Sequence, residues 1–213
     1  MRVIFNEELK QVADDLDRMA QNVRKAIKGA GEALLNQDVE AAQTVIDGDI
    51  EIDALESSVI DQCVKLLAKQ NPVATDLRVV VSTMRLASTF ERMGDLARHV
   101  AEAARRTYPA AEMIDFLDNT ADQLVAMLSD RDAKTAEAII LADDKLDNLH
   151  HQTFDLALSD DITRQQTVDI VLLGRFLERL GDHAVSAARR VVYIVSGFDP
   201  TKEPTRDEGT DID

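Results

Sequence analysis

Tryptophan is absent, cysteine occurs once, and the 213-residue chain holds only eight glycines, four prolines and 4% aromatic residues. Sandwiches and barrels of short strands draw heavily on turn residues and on aromatic and β-branched side chains, so this scarcity argues against them. Ala, Leu, Asp, Glu and Arg are abundant instead, and the chain reads as all-α. The single cysteine, Cys63, excludes an intrachain disulfide and fits a reducing compartment, and its small side chain is assigned to the core. Long apolar runs are missing too: Val191-Val192-Tyr193-Ile194-Val195 falls far short of the ~20 residues that span a bilayer. The opening MRVIFNEELK lacks the apolar stretch of a secretory signal, so the expected location is cytoplasmic. Positive charge is also short, with 24 basic against 40 acidic residues and a formal charge of -16. Such a surface repels nucleic acid and anionic membranes and favours cations and basic partner surfaces.

What is present is a repeat. Phe90-Glu91-Arg92-Met93-Gly94-Asp95-Leu96-Ala97 returns as Leu177-Glu178-Arg179-Leu180-Gly181-Asp182-His183-Ala184, an offset of 178 − 91 = 87. Upstream, Asp49-Ile50-Glu51-Ile52-Asp53-Ala54-Leu55 resembles Asp143-Asp144-Lys145-Leu146-Asp147-Asn148-Leu149 at an offset of 143 − 49 = 94, and Asp38 matches Asp132 at the same offset. The first copy is therefore longer by 94 − 87 = 7 residues, a difference placed around Gln70–Thr75.

Apolar spacing and breakers put helices near 5–36, 38–69, 72–107, 110–130, 132–158 and 162–197. Asp38 and Asp132 stand where caps would start the second and fifth helices, and Pro72 fits the first turn of the third with Asn71 as its cap. Pro109 separates the halves. The expected architecture is two tandem, pseudo-symmetric three-helix bundles, residues 1–108 and 109–197, followed by an acidic disordered tail, 198–213.

On a helix advancing about 100° per residue, Glu91 and Asp95 lie about 40° apart on one stripe, and His99 extends it to about 80°. Phe90, Gly94, Ala97 and Ala101 form one apolar arc and Met93, Leu96 and Val100 another, so the third helix should pack on two sides. Glu178 and Asp182 repeat the stripe on the sixth helix, while Asp49 with Asp53 and Asp143 with Asp147 pair in the same way on the second and fifth. Like charges at this spacing oppose helix stability by roughly 0.2–0.5 kcal/mol per pair and invite a cation. Oxygen-rich clusters suit magnesium or manganese, and with an added imidazole also iron or zinc. About seven such pairs arise by chance in so acidic a chain, and solvated helix faces carry them freely; recurrence at matching places in both repeats is the stronger sign. His99 and His183 are not equivalent, since Ser186 takes the place of His99, and together with His150 and His151 they read as ordinary polar residues.

The segments Pro72-Val73-Ala74-Thr75-Asp76-Leu77-Arg78, Glu91-Arg92-Met93-Gly94-Asp95 and Glu178-Arg179-Leu180-Gly181-Asp182-His183-Ala184, with the duplication, resemble the PhoU family over about residues 1–197, and the closing Arg189–Gly197 segment looks most like its actinobacterial branch. The resemblance implies a regulatory, non-enzymatic protein of phosphate homeostasis, frequently a homodimer. Its implied partners are the ATPase of a phosphate ABC transporter and a sensor histidine kinase, and its implied role is to hold uptake and the starvation response off when phosphate is plentiful. It also implies multinuclear metal sites, iron, zinc or other, at E/D-xxx-D motifs. Carried over, these fall on Glu91 and Asp95, Glu178 and Asp182, and on Asp49 and Asp53, Asp143 and Asp147. Asp76 matches the acidic residue of the DLR segment, where capping is an equal reading. No P-loop, Ser-His-Asp set or CxxC is present. Two alternatives stand beside this reading. One is a carboxylate-bridged metal enzyme in a helical bundle, for which Asp147-x-x-His150 has only Asp53-x-x-Glu56 as counterpart; the other is a metal-free helical scaffold.

Overall fold

The computed structural model describes residues 2–105 and 110–197. Pro109 and the tail expected at 198–213 lie outside the described residues. Six helices follow in order: α1 Arg2–Asn36, α2 Val39–Gln70, α3 Ala74–Glu102 with a short 3-10 turn Ala103–Arg105, α4 Ala111–Asp130, α5 Ala133–Ala157 and α6 Arg164–Ser196. There is no strand among the described residues.

Each helix forms for a local reason. In α1, Val12, Leu16, Met19, Val23, Ile27, Ala30 and Leu34 recur every three or four residues and are all buried, so one apolar stripe faces inward. Asp38 starts α2 by accepting from the backbone N–H of Glu40 and of Ala41, and Asp132 starts α5 by accepting from that of Lys134. Both caps stand where the sequence puts them. A capping box of Thr163 and Gln166 opens α6.

The α2–α3 junction differs from expectation. Asn71 closes α2 rather than opening α3: it adopts the left-handed conformation, φ 48°, and its N–H donates to the Leu67 carbonyl. Pro72 therefore precedes α3, whose cap position falls on Val73 without a side-chain bond. Nor is the extra length of the first repeat in this connection. With 32 residues against 25, α2 exceeds α5 by seven, about two turns. A longer helix keeps every backbone group bonded, which a longer loop would not.

The helices α1, α2 and α3 pack on one another, as do α4, α5 and α6, and the two sets meet through α1 against α4 and α3 against α6. The inner helices thus share one continuous apolar core, while α2 and α5 each pack against their own repeat. As its two arcs predict, α3 is buried on both sides: Phe90, Gly94, Ala97 and Ala101 and also Met93, Leu96 and Val100 are inaccessible. Polar ties reinforce the junction, with Lys28 of α1 2.7 Å from Asp122 of α4 and the His99 ring stacked on Phe176 at 5.1 Å. Cys63 lies fully buried, and burial pushes its thiol up to about 11, so it is a core residue without thiolate chemistry.

Glycines set how closely the outer helices approach. A Cβ at Gly94 would lie 3.0 Å from both Asp49 Oδ1 and Ile52 Cδ1, and one at Gly181 would run into the Leu146 side chain. Gly48, by contrast, has nothing within 4 Å of its absent Cβ. Gly181→Val should therefore cost about 1–3 kcal/mol by overpacking, whereas Gly48→Ala should stabilise by about 0.5–1 kcal/mol through reduced backbone freedom in the unfolded chain. Urea denaturation of the two variants checks both signs.

Candidate functional site

The close approach of α2 to α3 places the four carboxylates of the first repeat along one groove. Asp49, 8% exposed, comes from α2 with the exposed Asp53 one turn on, and the half-buried Glu91 and Asp95 face them from α3. An arginine that is not part of the acidic pattern occupies this groove. Arg98 donates from Nε to Asp49 Oδ2 at 2.8 Å, from Nη2 to Asp95 Oδ1 at 3.0 Å and from Nη1 to Glu102 Oε1 at 2.8 Å. Arg92 takes the other oxygen of Asp95 at 3.1 Å and lies 3.4 Å from Glu91. Burial raises the Asp49 carboxyl above its ordinary value, and the Arg98 hydrogen bond opposes that shift. Glu91 is raised as well, first by burial, with Arg92 opposing and Asp95, Glu56 and Asp53 adding repulsion.

The second repeat brings Asp143 and Asp147 of α5 against Glu178 and Asp182 of α6, but its charges are arranged differently. Val185, buried, stands at the position of Arg98, and Arg189 stands at that of Glu102. Glu178 is held by Arg175, whose Nη1 donates to Oε1 at 2.8 Å and Oε2 at 2.7 Å. Asp143, Asp147 and Asp182 make no ion pair among the described residues. Burial raises Asp143, and repulsion from Asp147 and Asp182 raises it further against the distant pull of Arg189. Burial and then Asp182 raise Glu178.

The histidines divide clearly. His99 is taken up by Phe176 and by Glu102, 3.2 Å from its Nδ1. His183 is lowered by burial and then by Arg179, with Asp182 opposing and Arg92 adding to the shift from across the repeat junction. His151 is exposed and donates from Nδ1 to the Asp147 carbonyl at 2.7 Å. His150 is 9% exposed; burial, then Arg175 and His151, lower it while Asp147 and Asp182 oppose, and its Nε2 is buried without a partner.

Among the described residues no group of three or more His, Cys, Asp or Glu side chains converges as a preformed metal centre. The two stripes differ in how they would suit one. In the first, both oxygens of Asp95 and one of Asp49 are held by arginine, so the donor set does not fit a bound metal. In the second, Asp143, Asp147 and Asp182 make no ion pair among the described residues, so their oxygens are available to an oxygen-preferring cation although the side chains do not converge on one point. Arg98 and Arg175 are the functional residues that acidic spacing misses. The signal for Arg98 is nonetheless present, since seven residues beyond Glu91 brings it within about 20° of the same stripe.

These shifts fix a pH dependence. The Asp143 carboxyl is raised from 3.8, so its contribution to stability is present below that value and is lost as pH rises through the folded-state value. Asp143→Asn should therefore stabilise the chelated protein at neutral pH by about 0.2–0.5 kcal/mol, the repulsion it removes from Asp147. The gain should vanish toward pH 3.8. Denaturation midpoints across that range are the measurement.

Comparison with known proteins follows the same division into repeats. Residues 16–104 and 110–191 each match the PhoU domain. A protein of Mycobacterium tuberculosis named phosphate-specific transport system accessory protein PhoU homolog 1 is 34% identical over 95% of this chain and 98% of its own length. The homolog 2 of the same organism is 35% identical over 94% of this chain and its own full length. The crystal structure of PhoU from Pseudomonas aeruginosa superimposes with a TM-score of 0.85 at 28% identity, covering 91% of this chain and all of that one. A duplicated three-helix unit with a paired ER-x-GD motif, matched along nearly its whole length, makes this chain a member of the PhoU family.

Proposed function

We propose that the chain is an accessory regulator of phosphate-specific transport, a non-catalytic adaptor that restrains phosphate uptake and the phosphate-starvation response. The observation that carries this reading is the match along nearly the full length to relatives named as transport accessory proteins. Its ends are the ATPase of the phosphate ABC transporter and a sensor histidine kinase at the cytoplasmic face of the membrane. The physical features agree with protein-mediated docking: no helix among the described residues is long and apolar enough to cross a membrane, and a charge of -16 disfavours direct contact with anionic lipid. The repeats, 1–108 and 109–197, act as one body, and the working unit is a homodimer.

A second reading concerns cations. The acidic stripe of the second repeat takes up a divalent or trivalent ion, iron, zinc, manganese or magnesium, and the observation favouring it is that Asp143, Asp147 and Asp182 make no ion pair among the described residues. These residues would hold the ion with Glu178, and the ion would supply positive charge that ties α5 to α6.

Deleting the gene in a strain without a paralogue should raise a phosphate-responsive reporter at high phosphate by at least several-fold, and reintroduction should restore repression. Unchanged repression in the deletion strain would remove the regulatory reading. For the cation, elemental analysis of tag-free protein purified without chelator should show metal that a Glu178→Ala, Asp182→Ala variant lacks; equal content in both would remove the second stripe as the site.

A further inference from the structure

We propose that Arg98 is the resident cation of the first acidic stripe, so that the two repeats are electrostatically unequal: the first is closed by a side chain, and only the second is open to an exchangeable ion. Three observations lead here. First, the guanidinium bridges helices as a bound ion would, reaching Asp49 on α2 at 2.8 Å and Asp95 and Glu102 on α3 at 3.0 and 2.8 Å. Second, Asp49 is 8% exposed and Arg98 is its one ion-pair partner among the described residues, so the guanidinium stands where water or an ion would otherwise meet this carboxylate. Third, the same position of the second repeat is the apolar Val185, and among the described residues no basic side chain forms an ion pair with Asp143, Asp147 or Asp182.

The chemistry of the two cations separates their consequences. A guanidinium stays charged at every accessible pH and is covalently part of α3, so Asp49 and Asp95 keep a cationic partner whatever the supply of ions. An inorganic cation binds by mass action and would leave the second stripe repulsive when scarce. Coupling of α2 to α3 is therefore constant, and coupling of α5 to α6 depends on cation concentration. Asp95 has no oxygen to spare for a metal, since Arg98 and Arg92 hold one each. Removing Arg98 returns an oxygen to Asp49 and one to Asp95 beside the unpartnered Oδ1.

The inference rests on the cation reading of the stripes, and the experiment keeps the two apart. In full-length protein with the second stripe neutralised by Asp143→Asn and Asp182→Asn, titration with Mn2+ by calorimetry should show no binding at the first stripe while Arg98 is present. In the same background Arg98→Gln should gain one Mn2+ site, with thermal unfolding shifted upward by Mn2+ and restored by EDTA. Arg98→Lys, which keeps a charge beside Asp49, should gain none. Should Arg98→Gln be unfolded without metal, Mn2+ should refold it, read by far-UV circular dichroism. Mn2+ binding at the first stripe in the presence of Arg98 would overturn the proposal, as would an Arg98→Gln protein that neither binds Mn2+ nor is refolded by it. Loss of Mn2+ binding on neutralising the second stripe of the otherwise native chain tests the cation reading alone, and its result leaves the Arg98 outcome unaffected.

Discussion

Interhelical closeness at Gly94 and Gly181 governs where this protein can carry charge. With α3 and α6 buried on two sides, Glu91, Asp95 and Arg98 of α3 and Glu178 and Asp182 of α6 share a stripe beside the neighbouring outer helix. The glycines then draw α2 and α5 against that strip, so carboxylates of two helices are forced into the same groove. A larger residue at either glycine would open the groove and return the carboxylates to water. Acid pairing here is thus a consequence of packing, and the raised carboxyls of Asp49, Glu91, Asp143 and Glu178 all name burial as their first cause.

Burial of like charge has to be offset, and the two repeats do this by different means. In the first, one arginine serves three carboxylates across two helices and a second arginine supports Asp95. In the second, Arg175 approaches from the opposite end of the stripe and serves Glu178 alone. The difference extends to the neighbours: Ser88, at the position of Arg175, donates to Glu56 at 2.8 Å, and Glu56 is replaced by His150. An acid with a hydroxyl partner in one repeat has become an imidazole beside a guanidinium in the other. Duplicated backbones therefore do not imply duplicated sites.

Much of the fold is legible in the sequence because its causes are local. The offsets of 87 and 94 identify the duplicated helices, and the Asp38 and Asp132 caps fall where short-range hydrogen bonding puts them. The α2–α3 junction is less legible, because Asn71 suits a left-handed helix end as well as it suits an N-cap, and Pro72 tolerates either side of a helix start. The stripes themselves follow from helical spacing, yet their depth does not. Asp49 is buried and its counterpart Asp143 only half so, a difference set by tertiary packing rather than by any local pattern. Arg98 lies on the acidic stripe by angle, but spacing along α3 gives no sign that its guanidinium reaches Asp49 on α2.

The inequality of the stripes bears on what each flank of the molecule can signal. A groove whose Asp49 and Asp95 are held by a built-in guanidinium keeps that cation whatever the ion supply, and it is suited to structural coupling of α2 to α3. In the α5–α6 groove Asp143, Asp147 and Asp182, two of them exposed, make no ion pair among the described residues, so its field varies with whatever cation or basic surface approaches. Both helices of that groove pack onto α4, and α6 also packs onto α3. A change in the spacing of α5 and α6 would thus be felt across the repeat junction, where Lys28 meets Asp122 and His99 stacks on Phe176. The second repeat, whose acidic stripe lacks a bridging arginine, is on these grounds the one whose packing is more sensitive to its ionic surroundings.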